Sequence, residues 1–444
     1  MSVPFLALGV VGRPIFHSLS PTIFRALFES SGREGAYVKL SARSADEGLL
    51  FFRELALDAM NVTSPFKENF AALVDELDGS AARLGAVNFV SGSGDGTTGR
   101  LRGFNTDGAG VLAALTERGV DPQGKMCLVI GAGGAGRAAS FALGSAGGSV
   151  VVANRGAERG RLAAALGGGS WRSLEALADL AARADLIVST LSAEVLPDPS
   201  GWLPPGKVVL DADYRRGALA AAQSKLGPPP LDGRSWLLGQ ALPAWAMLSG
   251  ARADDAVIAA ARHAIETAVD GRRRGARAKR GIALVGIMGS GKTTVGRELA
   301  ALRDLPFVDL DAAVEAAASS RIPEIFAREG ESGFRVRESR ALARVVAGGP
   351  CILATGGGLV VDPENRGRLA ASFATVLIHT PPKEAARRVA GGSRPLLAGA
   401  DPLARLRDLW MARREAYLLS ADLVVRSEGE EAATVAARID DEID

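Results

Sequence analysis

Cysteine is nearly absent from this 444-residue chain, with two residues, Cys127 and Cys351. That count excludes a disulfide framework, and no metal-binding spacing is present, as expected in a reducing cytoplasm. Both lie in apolar runs ("KMCLVI" and "PCILAT") and read as buried core thiols rather than ligands or nucleophiles. A dominant charge sign is missing too. The net charge of +2 is too balanced to predict a nucleic-acid partner. No apolar run approaches the roughly 20 residues a membrane-spanning helix requires. The apolar start "MSVPFLALGVVGRP" lacks a basic lead-in, so a first strand is expected rather than a signal peptide. No internal repeat argues for a solenoid.

Glycine, by contrast, is abundant at 54 residues, which points to many tight turns. Short β-rich runs at 5–11, 36–40, 86–91, 126–130, 149–153, 185–189 and 207–211 alternate with helical stretches. This alternation predicts an α/β fold. "SGSGDGTTG" (91–99) reads as a hairpin turn and "GPPP" (227–230) as a rigid loop. The sharpest break is "DGRRRGARAKR" (270–280). No aromatic residues interleave its charges, so a solvated linker is favoured over a nucleic-acid patch.

Two different phosphate-holding loops flank that break. Gly131, Ala132, Gly133, Gly134, Ala135 and Gly136 form G-x-G-x-x-G after the strand "MCLVI" and open an Ala-rich helix. The glycines let backbone approach a pyrophosphate, and the helix N-terminus offers unpaired N–H groups. The next strand ends in Asn154 and Arg155, with Arg159 beyond, where an NAD site places an acid. Guanidinium groups there favour the 2′-phosphate of NADP(H). The first 107 residues carry polar groups at strand ends in "HSLSP", "NVTSPFKE", "GAVN" and "GFNTDG". Reduction of a ketone needs a proton donor, which Lys67 oriented by Asp107 can supply. Singly, either residue would read as an ordinary surface charge.

Taken in order and spacing, "GRPIFHSLSP", "NVTSPFKE", "AVN", "FNTDG", "GAGGAGR" and "NR…R" resemble the shikimate dehydrogenase family over roughly residues 1–270. The resemblance implies Lys67 and Asp107 as the catalytic pair. It implies Ser18, Ser20, Thr63, Asn88, Asp107, Tyr214 and Gln240 around a polyhydroxy acid. It further implies a discontinuous substrate domain (1–107 and 237–269) around a Rossmann NADP domain (108–236). The family's usual His is Phe24 here. Its nicotinamide-side segments read "STLSAE" (Ser189–Glu194) and "GRSWL" (233–237, with Trp236), departures that bear on cofactor affinity rather than on carbonyl chemistry.

The second loop, "GIMGSGKT", fits G-x-x-x-x-G-K-[ST] after a strand. Its Gly289, Ser290, Gly291, Lys292, Thr293 and Thr294 are expected to cradle ATP, with the Thr293 hydroxyl on Mg2+. Asp309 and Asp311 stand two apart at a strand end, on one face if the strand continues; one acid can order Mg2+ and the other an acceptor hydroxyl. "GFRVRE", "LATGGG" and "SRPLL" supply Arg335, a glycine loop and Arg394. Arg337 reads as a partner for Glu338.

In this order these features resemble shikimate kinase over about 281–444, a P-loop NTPase-like parallel-sheet domain. The resemblance implies Asp311, Arg335, Gly357, Gly358 and Arg413 on shikimate, Asp309 on the metal, and Arg394 as a lid arginine. The adenine-side arginine is either Arg387 or Arg388. The family's R-x-P-L-Y is "RREAY" (413–417), and loss of the proline predicts a looser segment near Arg413.

The leading expectation is one soluble enzyme with two consecutive activities: NADPH-dependent reduction of 3-dehydroshikimate, then phosphorylation of shikimate by ATP. The alternatives are a shikimate or quinate reductase carrying an inactive nucleotide-sensing domain, or a ligand sensor without turnover. Small-molecule substrates are expected, with no nucleic acid and no membrane.

Overall fold

The computed structural model describes residues 4–92, 99–214, 219, 222, 231–273, 281–390 and 401–443. The N-terminal strands are β1 (Leu6–Gly12), β2 (Gly35–Ser41), β3 (Ala59–Val62), β4 (Glu76–Leu77), β5 (Phe89–Gly92) and β6 (Leu101–Phe104). A second group follows: β7 (Met126–Ile130), β8 (Ser149–Ala153), β9 (Ser170–Arg172), β10 (Leu186–Ser189), β11 (Val208–Asp211) and β12 (Leu231–Asp232). The last are β13 (Gly281–Val285), β14 (Phe307–Asp309), β15 (Ile352–Ala354), β16 (Phe373–His379) and β17 (Leu423–Arg426). Runs such as "GIALV" and "MCLVI" are apolar throughout because helices cover both faces of a parallel sheet.

Two sheets result. The smaller has the order β12-β11-β10-β7-β8-β9 and is parallel throughout. The larger runs β14-β15-β13-β16-β17-β2-β1-β3-β5-β6-β4. Its centre is a parallel pairing between the first and last thirds of the chain, with Val424 opposite Leu40 and Val425 opposite Ser41. The core follows this continuity. One layer joins Leu40 and Phe52 to Leu377, Tyr417 and Val424, and the layer on the other face joins Leu8, Val10 and Tyr37 to Ile378, Val425 and Ile439.

Most expected strands fall within a residue of their predicted bounds. The run 86–91 starts later, at Phe89. Gly85, at φ +58°, ends the helix Gly79–Leu84, and Val87 is then tied across to the Lys67 carbonyl before the strand begins. Around the expected 91–99 hairpin, β5 and β6 pair antiparallel, while residues 93–98 lie outside the described set, as does "GPPP". The helix Asp255–Arg273 runs into the first four residues of the expected linker, and 274–280 are not among the described residues. The helices Gly233–Ser249 and Asp255–Arg273 bring Ala244, Trp245, Ala261 and Ile265 into the core layer of Ile23, Phe24 and Leu27. No described helix is long and apolar enough to cross a membrane.

Candidate active sites

Two cavities open at the C-terminal ends of the parallel strands. The first, of about 520 Å3, lies between the two sheets. Ser18, Ser20, Thr63, Lys67, Asn88, Asp107, Tyr214 and Gln240 all line it. Lys67 begins a short helix after β3, and Asp107 opens the helix Asp107–Thr116 after β6. Their side chains meet, Lys67 Nζ to Asp107 Oδ2 at 2.6 Å, with Asp107 buried and Lys67 partly exposed to the cavity. Asn88 Nδ2 donates to Asp107 Oδ1 at 2.8 Å and to Gln240 Oε1 at 3.3 Å. The carboxylate is thus fixed on both oxygens, leaving the ammonium directed by one rigid partner.

The glycine loop follows β7 on the opposite wall. Gly131 sits at φ +102°, and a Cβ on Gly136 would stand 2.2 Å from the Gly131 carbonyl oxygen, so neither position admits a side chain. A Cβ on Gly134 would approach Lys67 Cδ to 3.2 Å, which places the start of the helix Gly134–Ser145 against the lysine stem. Arg155 is exposed just past β8, and Asn154 Nδ2 donates to the Gly156 carbonyl at 2.9 Å. Arg159 reaches across the cleft to Glu68 at 3.0 Å, and Arg137 pairs with the same carboxylate. This cradle, with a guanidinium beyond the neighbouring strand, fits a 2′-phosphorylated dinucleotide.

Trp236, a departure from the family pattern in sequence, is built into the site. Its indole Nε1 donates to the Asp107 carbonyl at 3.0 Å, and its ring fills the space that a Cβ on Gly110 would need. Thr190, in the altered "STLSAE" segment, donates to the Ile130 carbonyl at 3.0 Å and packs under Gly131. Phe24 is fully buried and stacks on Tyr37 at 4.5 Å, so the position reserved for a histidine serves the core. Tyr37 donates to Asn61 Oδ1 at 2.7 Å, and Asn61 lines the cavity. Cys127 and Cys351 are free and buried, and burial pushes the Cys127 thiol up to about 11.

The second cavity, of about 710 Å3, lies over β13, β14 and β15. Gly289, Gly291, Lys292, Thr293, Thr294, Asp309, Asp311, Arg335, Gly357, Gly358, Arg388 and Arg413 line it. Gly289 and Gly291 hold φ values of +82° and +94°, conformations that favour glycine. Lys292 Nζ donates to the carbonyls of Gly286 and Ile287, both at 2.9 Å. Ser290 is buried beneath the loop, its carbonyl accepting from Ser427 at 3.1 Å.

Asp309 and Asp311 do not share a strand face. Asp309 ends β14 and caps the helix Leu310–Ala318, accepting from the Asp311 N–H at 3.1 Å, so Asp311 stands in the first helical turn. The strand stops because capping satisfies the helix N–H groups at once. Asp309 Oδ2 accepts from Thr293 Oγ1 at 2.9 Å, a pair of hard oxygen donors that fits Mg2+.

Arg335 pairs with Glu338 at 2.7 Å and Glu331 at 2.9 Å. Glu338 is fully buried, and burial pushes its carboxyl above the ordinary range. The residue escaped sequence reasoning, which paired it with Arg337; Arg337 instead binds Glu329 at 2.7 Å. The i,i+3 spacing of Arg335 and Glu338 was the available signal. A Cβ on Gly358 would lie 2.2 Å from Arg335 Nη2, and one on Gly356 2.3 Å from Glu338 Oε1, so a side chain at either position would displace the ion pair from this geometry.

The segment around Arg413 is not loose. Without proline the helix Pro402–Ser420 runs unbroken, and Arg413 and Tyr417 both donate to the Gly357 carbonyl, at 3.1 and 2.5 Å. Of the two adenine-side candidates, Arg388 faces the cavity and donates to the Ser427 carbonyl at 2.8 Å. Arg387 is exposed and pairs with Glu384. Arg394 lies outside the described residues.

A two-domain reductive cleft beside a phosphate-loop fold defines an enzyme of two nucleotide-dependent chemistries. Residues 10–90 match the family model of the shikimate dehydrogenase substrate binding domain, and 288–444 match that of shikimate kinase. The chain is 39% identical over 275 residues to a shikimate dehydrogenase (NADP(+)) of Rubrobacter xylanophilus, covering 57% of this chain and 96% of that protein. It is 46% identical over 145 residues to a shikimate kinase of Neisseria meningitidis, covering 32% of this chain and 85% of that protein. The crystal structure of shikimate 5-dehydrogenase from Thermus thermophilus in complex with shikimate superposes with a TM-score of 0.52 at 33% identity, over 60% of this chain and 99% of that one. The chain belongs to the shikimate dehydrogenase family in its first part and to the shikimate kinase family in its last.

Proposed function

We infer that the protein reduces 3-dehydroshikimate with NADPH and phosphorylates the shikimate so formed with ATP. The observation that carries this is the convergence of two polar cavities, in one chain, on consecutive steps of one metabolite. Residues 1–107 and 237–269 form the substrate domain of the first enzyme, 108–236 its NADP domain, and 281–444 the kinase, with 270–280 between them.

Bound NADPH supplies the hydride. The Lys67 ammonium, oriented by Asp107, gives its proton to the oxygen at ring position 3 and is then replenished from solvent. Asn88, Gln240, Ser18, Ser20, Thr63 and Tyr214 hold the remaining polar groups of the acid. Gly131–Gly136, Asn154, Arg155 and Arg159 hold the dinucleotide. In the kinase cavity Asp311 orients the 3-hydroxyl and takes its proton. Arg335 and Arg413 hold the carboxylate beside Gly357 and Gly358. Gly289–Thr294 hold the ATP phosphates, with Arg394 closing over them. Thr293 and Asp309 hold Mg2+, which neutralises phosphate charge when bound. Arg388 is the adenine-side cation. Small polyhydroxy acids and nucleotides are the partners, without nucleic acid or membrane.

A coupled assay tests the whole reading. With 3-dehydroshikimate, NADPH, ATP and Mg2+, shikimate 3-phosphate accumulates. Omitting ATP stops the reaction at shikimate, and omitting NADPH stops it at the start. Reduction without phosphorylation of supplied shikimate would instead mark an inactive, nucleotide-sensing second part.

A further inference from the structure

The kinase part ends in the helix Ala432–Ile443, which sits on the same core layer as Ile15, Leu19 and Ile23 of the first part. Near its end, Glu442 is buried, yet it faces no substrate or nucleotide cavity of its own part. Its Oε2 accepts two backbone N–H groups of the first part, from Ile15 at 2.6 Å and Phe16 at 3.0 Å. Those residues form the turn between β1 and the helix Ser20–Ser31, and the turn leads directly into Ser18 and Ser20.

The turn is held from several sides. Ser18 donates its N–H to the Ile15 carbonyl at 2.9 Å, and Ser20 its N–H to Ser18 Oγ at 3.3 Å. Lys39 Nζ donates to the Phe16 carbonyl at 2.6 Å and lies over the Phe16 ring at 4.5 Å. Ile15, Ser18 and Ser20 all line the 520 Å3 cavity. Within the first part, the Ile15 and Phe16 carbonyls of the turn accept from the Ser18 N–H and Lys39 Nζ. Among the described contacts, the paired amides of Ile15 and Phe16 are satisfied by a carboxylate from the other enzyme. An anion accepting two convergent backbone N–H groups fixes a turn in one conformation, as charge-assisted bonds are the strong ones.

We propose that Glu442 of the kinase part is a positioning residue for the dehydrogenase reaction, setting the place of Ser18 and Ser20 through the Ile15–Phe16 turn. The proposal rests on the reading of the 520 Å3 cavity as the 3-dehydroshikimate site. Without the carboxylate the two amides turn toward water and the serines lose their register. Substrate binding weakens while the hydride and proton geometry at Lys67 stays.

The test is steady-state kinetics of both activities in the full chain with Glu442→Ala and Glu442→Gln. In Glu442→Ala, KM for 3-dehydroshikimate rises about ten-fold, the effect of taking the charged acceptor from the buried Ile15 N–H. The kcat of reduction, the KM for NADPH and all kinase constants stay within about two-fold on the same grounds. Glu442→Gln keeps an oxygen that accepts both N–H groups and restores KM. Unchanged KM in Glu442→Ala overturns the proposal, as does a glutamine variant that behaves like alanine, or parallel loss of both activities in the two variants. A wild-type chain that neither binds nor reduces 3-dehydroshikimate overturns the reading of the cavity and the positioning role together.

Discussion

Single side chains separate the two chemistries. With the proposed role of Lys67 as proton donor, reduction in Lys67→Ala falls by about 10²- to 10⁴-fold while phosphorylation continues. Lys292→Ala does the reverse, measured on the same preparation with supplied shikimate. Loss of both activities from either change in a folded chain would sink the two-site reading. Glu68 makes a subtler case. It binds Arg137 and Arg159 across the dinucleotide cleft, and Arg159 is the more exposed partner. With NADPH placed as proposed, its 2′-phosphate competes with that carboxylate for the guanidinium. Glu68→Gln therefore lowers KM for NADPH, but by no more than about five-fold, since such exposed pairs contribute at most about 1 kcal/mol. An NADH comparison checks the cause, because a cofactor without the 2′-phosphate gains nothing.

Elements decide how those side chains are held. At the junction, Glu54 ends the helix Ala45–Glu54 and accepts from Arg426 at 2.7 Å and from His379 at 2.9 Å. Burial pushes Glu54 up, but the His379 and Arg426 hydrogen bonds more than offset it and hold the carboxyl below its ordinary value. A lowered folded-state value means stabilisation present above the unfolded carboxylate range, near pH ~4.3, and lost as pH falls through the folded value. Glu54→Gln should cost roughly 2 kcal/mol in urea unfolding at about pH 7, and the gap from wild type should narrow as pH drops below about 4. A gap independent of pH would exclude a charge effect.

Elements also differ in how far their sequence disclosed them. The two phosphate loops were legible because glycine spacing after an apolar strand has few other uses. The Lys67–Asp107 pair was legible only in company, and the structure brings it to 2.6 Å. Trp236 and Glu338 were not legible in their roles. Trp236 acts through a backbone carbonyl 129 positions away in the chain, which no local pattern encodes. The Arg413 segment was misjudged because a missing proline was read as lost rigidity, whereas it frees an N–H and lets a helix continue. Nor did the chain's pattern disclose that β17 would pair with β2, since parallel pairing runs through backbone groups that every strand offers.

At the scale of the molecule, the fused sheet makes the two enzymes one body of packed core rather than two beads on a thread. A charged network crosses it twice: Arg438 lies 3.7 Å from Glu47, and Arg43 pairs with Glu430 at 2.7 Å, while Arg438–Glu430 and Arg43–Glu47 close the network within each part. Residues 1–273 and 281–444 made as separate polypeptides and mixed should therefore bind each other. Sedimentation at micromolar concentration should show a 1:1 complex in place of two independent species. Two unchanged boundaries would show that the β17–β2 pairing is too weak to hold the parts together without the connecting chain.

The pairing also has a genetic face. A stop codon after residue 273 removes the kinase but uncovers the end of β2 at Leu40 and Ser41, where β17 pairs with it, inviting aggregation of the surviving enzyme. A chain carrying Lys292→Ala removes the same activity and leaves the edge sealed. In a host that lacks its own dehydrogenase, the point variant should restore growth better than the truncated gene, which loses both the β17 edge and Glu442. Loss of one enzyme by shortening would then be selected against through the other.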